Sequence, residues 1–432
     1  MTNLGFQQNF QVGSSYRERY LAAESPLRIL NISEDRYIPS QIYASAPDQK
    51  ILINTATAFL QGLYPPLDEL DAQLSTQTLN NGSTVQNPLN GYQYVFLQGA
   101  DADSPNTIWI KGDDGCPALA TAQSGFENSR EFQSRMQSTQ DFYGGFWDLL
   151  QDVYDYTPAK MNYEHAFDIF DLINVANIHN ASEPRNVSSE DLFQLRTLAD
   201  SAEFGYNFNA SEPARSIGGR TLMGAMYRQL NQTVATGGRL KLSLLAGSYD
   251  SFLAFFGVSD LISANANFYG LPDYASTMSM ELFTEADTTT FPQSRGDLNV
   301  RFMFKNGSTG ALEQFPLFGT GRQSLSWADF ETQIQERAIT RVSQWCDICS
   351  STEDFCLPYE AASPEAASAS GGDDGLSKAE AGVVGAMVTL GVVAIVGAVA
   401  FLFMRRRRRA AATPAPLSDD KSGSSSSGKG SV

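Results

Sequence analysis

The stretch LKLSLLAGSYDSFLAFFGV, Leu240 to Val258, decides the fold class. Its first half alternates like a half-buried strand, Gly247 and Ser248 interrupt it, and an apolar run rich in Phe follows. In α/β proteins, the turn between a strand and the following helix usually carries the chemistry. Tyr249 and Asp250 occupy that turn, so they are the first candidate functional residues.

Strand and helix patterns alternate through the rest of the first 356 residues, which favours an α/β fold over a sandwich. The other predicted strands are GYQYVFLQ (91–98) and DLNVRFMFKNGS (297–308). The predicted helices are QKILINTATAFLQGLYPP (49–66), DFYGGFWDLLQDVYDY (141–156) and YEHAFDIFDLINVANI (163–178).

A membrane anchor is predicted near the C-terminus. Residues 381–404 form an uncharged run of 24 residues, where about 20 suffice to span a bilayer as a helix. Five arginines follow at 405–409, which places that end in the cytoplasm by the positive-inside rule. We therefore expect a globular domain at 1–356, a flexible stalk at 357–380, a single span at 381–404 and a basic, low-complexity cytoplasmic tail at 405–432.

Glycosylation and cysteine patterns agree with a lumenal or extracellular globular domain. The N-x-S/T acceptor sequons precede the predicted span and lie at Asn31, Asn81, Asn180, Asn186, Asn209, Asn231 and Asn306. The four cysteines lie on the same side, at Cys116, Cys346, Cys349 and Cys356. They predict disulfides rather than a zinc or redox site, and four cysteines leave three pairings open.

The charge of the chain excludes one class of partner. The formal net charge is −18, and the tail after residue 404 has seven basic and two acidic residues, so residues 1–404 carry about −23. A domain this acidic repels the phosphate backbone of nucleic acids. We therefore expect no nucleic acid as partner, whereas the expected membrane partner follows from the predicted span at 381–404.

Several segments together resemble fungal members of the histidine acid phosphatase family, within the phosphoglycerate mutase-like superfamily. In chain order they are MTNLGFQQNFQVGSSYRERY at 1–20, IYASAPDQK at 42–50, TATAFLQGLYPP at 55–66, DLNVRFMFKNGS at 297–308, FPLFG at 315–319 and WCDIC at 345–349. The resemblance covers most of residues 1–356.

This resemblance implies an α/β domain with a central mixed sheet flanked by helices, and a smaller, mostly helical cap domain. It also implies hydrolysis of phosphomonoesters through a phosphohistidine, with an R-H-G-x-R-x-P nucleophile motif on the first strand. An Asp then protonates the leaving oxygen, and no metal or organic cofactor takes part. The present sequence aligns with a part of the family that lies downstream of this motif, which indicates a chain that lacks the first strand.

Three departures from the family pattern bear on activity. No R-H-G occurs, and the two histidines, His165 and His179, have contexts typical of structural residues. Ala44 stands where active relatives have a phosphate-binding Arg, and nearby Lys50 offers only a point charge. Tyr249 stands where they have a His, followed by Asp250 as a possible proton donor.

Two functions remain open from the sequence. One is a membrane-anchored histidine acid phosphatase that hydrolyses a small phosphomonoester, although the chain as written is expected to be inactive. The other is a pseudoenzyme, a surface glycoprotein that binds an anion or a glycan on the phosphatase scaffold. For the Tyr249–Asp250 pair, a helix-capping Asp is as compatible with the sequence as a vestigial catalytic role.

Overall fold

The computed structural model describes residues 1–71, 73–153, 156–179 and 187–360. Residues Met1–Ser363 belong to one compact unit. The predicted span at 381–404, the tail at 405–432, nearly all of the stalk, and the sequons at Asn180 and Asn186 lie outside the described residues. Within the described ranges, no helix is both long enough and apolar enough to cross a membrane.

Helices dominate the described ranges, and strands lie among them. The helices are α1 Asn3–Tyr20, α2 Lys50–Leu63, α3 Leu67–Leu70, α4 Pro88–Gly91, α5 Pro117–Glu127, α6 Arg130–Gly144, α7 Trp147–Leu150, α8 Ala166–His179, α9 Ser189–Asn207, α10 Ile217–Ala235, α11 Tyr249–Val258, α12 Trp327–Arg337, α13 Val342–Cys349 and α14 Leu357–Glu360. The strands are β1 Ile42–Pro47, β2 Thr76–Thr78, β3 Thr84–Gln86, β4 Gln98–Ala100, β5 Leu242–Leu245, β6 Thr277–Phe283, β7 Asn299–Lys305, β8 Leu312–Phe315 and β9 Ser324–Ser326.

A parallel sheet of three strands, in the order β4–β1–β5, carries the candidate site. Ser45 of β1 pairs with Gln98 on one side and with Leu245 on the other, so β1 is hydrogen-bonded along both edges. The carboxyl ends of the three strands therefore lie at one edge of the sheet, where β5 leads into α11.

A separate antiparallel sheet is built around β7. This strand pairs with β6 along one edge and with β8 and β9 along the other. Its buried side chains join the largest apolar cluster, in which Phe302 of β7 stacks on Phe255 of α11 with ring centroids 5.7 Å apart. The Phe-rich second half of the opening stretch thus forms the contact between α11 and this sheet.

Helices α1 and α2 pack with their backbones in close contact because each contributes a glycine. A Cβ atom added at Gly13 would lie 2.0 Å from the carbonyl oxygen of Phe59. One added at Gly62 would lie 2.0 Å from the carbonyl oxygen of Phe10. Both distances are far below any real van der Waals contact, so only glycine allows this approach.

Replacing Gly13 by Ala is therefore expected to destabilise the domain, by about 3 kcal/mol or more, because the helices must separate. Gly125→Ala provides the matched control, since Gly125 also lies inside a helix but nothing lies within 4 Å of an added Cβ. The control should gain about 0.5–1 kcal/mol from helix propensity. Urea unfolding gives the free energy of unfolding of each variant. Equal unfolding midpoints for the two variants would contradict the close contact between α1 and α2.

Two disulfides resolve the pairing that the sequence left open. Cys116 pairs with Cys349, and Cys346 pairs with Cys356. The two cysteines of the Cys346-x-x-Cys349 motif thus go to different partners. Next to this motif, Trp345 is fully buried and donates from its indole nitrogen to the carbonyl oxygen of Gly112, at 2.8 Å. Trp345, beside Cys346, therefore holds the backbone at Gly112, next to Lys111 of the candidate site.

The α/β fold class is confirmed, and several element boundaries differ from the sequence prediction. The strand predicted at 91–98 is mostly irregular, and only Gln98 belongs to β4. The helix predicted at 141–156 is divided, because α6 ends at Gly144 and α7 covers only Trp147–Leu150. Successive glycines at 144 and 145 explain the break, since glycine weakens helices.

Candidate functional site

The candidate site is the turn between β5 and α11. Ser248 precedes the first residue of α11, and its hydroxyl hydrogen-bonds the Oδ1 atom of Asp250 instead of capping the helix backbone. The same Oδ1 accepts a hydrogen bond from the backbone N–H of Ser251, at 2.8 Å. The Asp250 carboxylate thus lies in the first turn of α11, where the helix dipole favours negative charge.

Lys111 brings a second segment of the chain to this turn. Its Nζ atom lies 2.9 Å from Oδ2 of Asp113, 3.3 Å from Oδ2 of Asp250 and 3.8 Å from Oδ1 of Asp114. Burial opposes the charge on Lys111, but the charges of Asp113 and Asp250 outweigh burial and raise its pKa above the ordinary value. Lys111 is therefore a buried cation that bridges carboxylates.

Among the carboxyl groups around Lys111, Asp113 has a raised pKa. Burial and the neighbouring charge of Asp250 raise its pKa to about 6, against the attraction of Lys111. Its Oδ1 atom is buried and has no hydrogen-bond partner within the described part of the chain. A carboxylate in that position is destabilised, so Asp113 takes up a proton at mildly acidic pH.

Tyr249 faces a different acid, Glu203 of α9. The phenol and the Glu203 carboxyl group are hydrogen-bonding neighbours, and the Tyr249 ring packs on Phe167 with centroids 4.4 Å apart. Burial, and then the charges of Asp250 and Asp168, raise the pKa of Glu203 to about 8. Burial and the same carboxylates raise the pKa of Tyr249, so the phenol stays protonated.

The raised pKa of Glu203 predicts a specific pH dependence of stability. The native state holds a proton on Glu203 between the ordinary pKa of 4.5 and about 8, whereas the unfolded state loses it, so stability falls as the pH rises through this window. Glu203→Gln cannot lose that proton, so the variant should gain stability relative to the wild type over the same window. Each pKa unit of difference between the folded and the unfolded state changes the free energy of unfolding by about 1.4 kcal/mol.

Urea unfolding of both proteins at pH 5 and pH 8 measures this gain. The contribution of Asp113 is common to both proteins and cancels in the comparison. A difference in stability that stays constant between the two pH values would show that Glu203 ionises normally.

The other predicted site residues are not joined to the turn. Ala44 is 2% exposed and belongs to an apolar cluster with Tyr16 and Phe59, on α1 and α2. Lys50 is exposed at the start of α2. The Nδ1 atom of His165 lies 3.8 Å from Oδ2 of Asp168.

His179 is exposed at the end of α8. No described hydrogen bond or ion pair joins either histidine to Tyr249 or Asp250. The catalytic roles suggested for Tyr249 and Asp250 stay predictions.

Four residues at the turn escaped the sequence analysis, namely Lys111, Asp113, Asp114 and Glu203. Lys111 and Asp113 lie about 140 residues before Asp250 in the chain, and Glu203 is one of many acidic residues on a helix. No spacing in the sequence connects them with the turn. Across the described ranges, no group of three or more His, Cys, Asp or Glu side chains is arranged to hold a metal ion.

Comparison with known families identifies the scaffold. The model of the histidine phosphatase superfamily (branch 2) matches residues 1–304. The chain belongs to this superfamily. The family prediction is therefore confirmed, whereas the fungal assignment and the absence of a first strand stay predictions.

The curated relatives include two acid phosphatases. The chain is 22% identical to human prostatic acid phosphatase over 330 residues, which are 74% of this chain and 72% of that protein. It is 26% identical to lysosomal acid phosphatase from Xenopus laevis over 356 residues, 82% of this chain and 71% of that protein. Among solved structures, the phytase from Citrobacter braakii matches with a TM-score of 0.48 and 12% identity, over 81% of this chain and 89% of that one.

Proposed function

We propose that this protein is a membrane-anchored surface glycoprotein built on the histidine phosphatase scaffold, and that the 432-residue chain does not itself hydrolyse phosphomonoesters. The observation that carries the proposal is the turn after β5. Tyr249 is paired there with Glu203, and Asp250 is paired with Lys111. In the family that the sequence resembles, this position holds a phosphate-binding His followed by the acid.

The charges at the turn support this proposal. Lys111 is the cation there, and Asp113, Asp114 and Asp250 lie within 4 Å of its Nζ atom. A phosphomonoester dianion would meet a site in which negative charge already exceeds positive charge, and like charges at this range repel. Tyr249 offers a neutral hydroxyl instead of an imidazolium. The same repulsion argues against an anion bound at the turn itself.

Phosphomonoester hydrolysis is the second candidate, and two observations favour it. Asp250 lies past the carboxyl end of a parallel strand, where α/β enzymes bind substrates, and the relatives described above are acid phosphatases. In this candidate Asp250 is the proton donor, and Lys111 positions it. A histidine nucleophile is still required, and the family motif that supplies it does not occur in this sequence.

Trapping the covalent intermediate distinguishes the two candidates. The full chain is mixed with a 32P-labelled phosphomonoester and quenched in alkali, in which phosphohistidine is stable. We expect no label on the protein, whereas human prostatic acid phosphatase run in parallel serves as the positive control. Label that survives alkali and is lost in acid would establish the second candidate.

The membrane anchor and the glycans form a separate part of the proposal. The uncharged run at 381–404, the arginines at 405–409 and the upstream sequons support it. Among the described sequons, Asn81 lies exposed on the turn between β2 and β3. We expect the protein from a eukaryotic host to stay in the membrane pellet at alkaline pH and to lose mass on treatment with peptide N-glycosidase. Release into the supernatant, or an unchanged mass, would contradict this part.

A further inference from the structure

Two strands have one backbone edge each that meets no partner strand in the described part of the chain. There β5 pairs with β1 alone, and β6 pairs with β7 alone. On β5, the N–H groups of Leu242 and Ala246 donate to carbonyl oxygens on the side of β1. Because backbone groups alternate along a strand, Ser243 and Leu245 direct their N–H and C=O groups to the opposite, free edge.

Helix α1 covers one face of both strands. The hydroxyl of Tyr16 donates to the hydroxyl of Thr277 on β6, at 2.8 Å. The same Tyr16 side chain belongs to the apolar cluster against which Leu242 and Leu244 of β5 pack. One helix thus lies across β5 and β6, although no described hydrogen bond joins the two strands to each other.

Helix α10 covers the opposite face of both strands. Ser243 of β5 donates from its hydroxyl to the side-chain oxygen of Gln229 on α10, at 3.2 Å. Helix α10 also contacts β6, and Met226 of α10 packs in the same apolar cluster as Met278 and Met280 of β6. β5 and β6 therefore lie in one layer between α1 and α10.

The free edges of β5 and β6 border a slot that has room for one strand. A helix with its side chains is about 10–12 Å wide, and neighbouring strands lie about 4.8 Å apart. One helix can therefore contact two strands that lie two strand spacings apart. Exposure agrees with this spacing. β1, which is paired along both edges, is buried almost throughout, whereas every residue of β5 and β6 is only half-buried.

The edges and faces of the slot determine what can bind there. The edges offer backbone N–H and C=O groups, which an extended segment pairs with when it adds to a sheet as a strand. The faces are the apolar clusters at α1 and α10, so an added strand is buried on both sides. Strands buried on both faces are continuous apolar runs, rich in Val and Ile.

The two ends of the slot carry opposite charges. Arg239 and Lys241 directly precede β5. Asp250 and the other carboxylates around Lys111 lie past the carboxyl end of β5, where negative charge exceeds positive charge. A segment that runs parallel to β5, with an acidic residue first and a basic residue last, therefore complements both ends.

We propose that the slot binds one extended, apolar segment of another polypeptide, parallel to β5 and with a basic residue at its carboxyl end. This addition joins the two sheets through backbone hydrogen bonds on both sides of the added strand. The free edges carry the proposal, and not the first strand that the family resemblance expects. The proposal holds whether or not the protein hydrolyses phosphomonoesters.

Fluorescence anisotropy of the full chain with the labelled peptide Asp-Val-Thr-Val-Ile-Val-Arg tests the proposal at pH 7. We expect saturable binding. The peptide of reversed sequence has the same composition, and it should bind about tenfold more weakly, because in the parallel orientation its end charges meet like charges. Equal binding of the two peptides would show unspecific apolar adhesion and overturn the proposal. An absence of saturable binding would overturn it as well.

Variants of the free edge locate the bound peptide. Ser243→Pro removes an N–H group that points to the slot and leaves the hydrogen bonds to β1 in place, so it should weaken binding about tenfold. Ser243→Ala is the matched control, because it loses the same hydroxyl but keeps the backbone N–H. The control should bind the peptide like the wild type. Equal binding by the two variants would place the peptide elsewhere and contradict the proposal.

Hydrogen exchange of the wild type gives the answer if Ser243→Pro does not fold. With the peptide, the amide hydrogens of Ser243 and Leu245 should exchange about tenfold more slowly. Those of Leu242 and Ala246 already donate on the side of β1 and should change less. Unchanged exchange at Ser243 and Leu245 would overturn the proposal. Slow exchange there without peptide, in a dimer, would show that a second copy of this chain fills the slot instead.

Discussion

The full chain is expected to release inorganic phosphate from an aryl phosphate no faster than buffer at pH 5. The turn carries excess negative charge around Lys111, and the sequence contains no R-H-G nucleophile. Loss of the nucleophile in a covalent mechanism costs about 10⁴–10⁶-fold in rate. A colorimetric phosphate assay measures this, with human prostatic acid phosphatase as the positive control.

Asp250→Asn separates a true activity from a contaminant. If the wild type exceeds the buffer rate and Asp250→Asn abolishes the excess, the turn is catalytic and the proposed lack of hydrolysis is wrong. An excess that Asp250→Asn leaves unchanged would come from another protein. The variant is nearly isosteric, so its fold is expected to persist.

Restoring the family residues is not expected to restore activity in this chain. Tyr249→His would place an imidazole beside Glu203, still without a nucleophile. Ala44→Arg should destabilise the domain by about 3–5 kcal/mol, because Ala44 is buried in an apolar cluster and an unpaired guanidinium cannot be accommodated there. A stable Ala44→Arg variant that binds phosphate would show that this position reaches the site.

The second large effect is expected from the disulfide between Cys116 and Cys349. It joins residues 233 positions apart, whereas Cys346 and Cys356 are 10 apart. In the chain-entropy account, a cross-link stabilises by restricting the unfolded chain, and the gain rises with the logarithm of the loop length. Replacing both Cys116 and Cys349 by Ser should therefore cost about 5 kcal/mol, and replacing both Cys346 and Cys356 about 3 kcal/mol.

Double variants are used because a single replacement leaves a thiol that can form a wrong pair. Urea unfolding of the full chain under non-reducing conditions gives both free energies. If the shorter loop costs more than the longer one, contacts around α13 rather than chain entropy control the stability of this region. Loss of the Cys116–Cys349 disulfide should also weaken the contact between Trp345 and Gly112. Lys111, next to Gly112, should then become more mobile.

Local patterns in the sequence predicted those parts of the protein that depend on neighbouring residues. The alternation in the opening stretch predicted β5, and its Phe-rich half predicted α11, because one face of each element must be buried. The turn between them followed from Gly247 and Ser248. The family motifs added the fold, since their order along the chain is preserved. The limits of α6 and β4 were less predictable, because packing decides where such elements end.

The sequence by itself determined the α/β class, the junction between strand and helix at which Tyr249 and Asp250 lie, and the set of four cysteines. Each of these rests on residues adjacent in the chain or on their identity. Only the tertiary structure decided which cysteines pair and which groups surround the turn. Lys111, Asp113 and Glu203 reach it from 47 to 139 positions away. Contacts over such distances depend on how α9, α11, α13 and the segment at residues 109–113 pack, and no periodicity in the sequence records that. The same packing buries Ala44 in an apolar cluster with Tyr16 and Phe59.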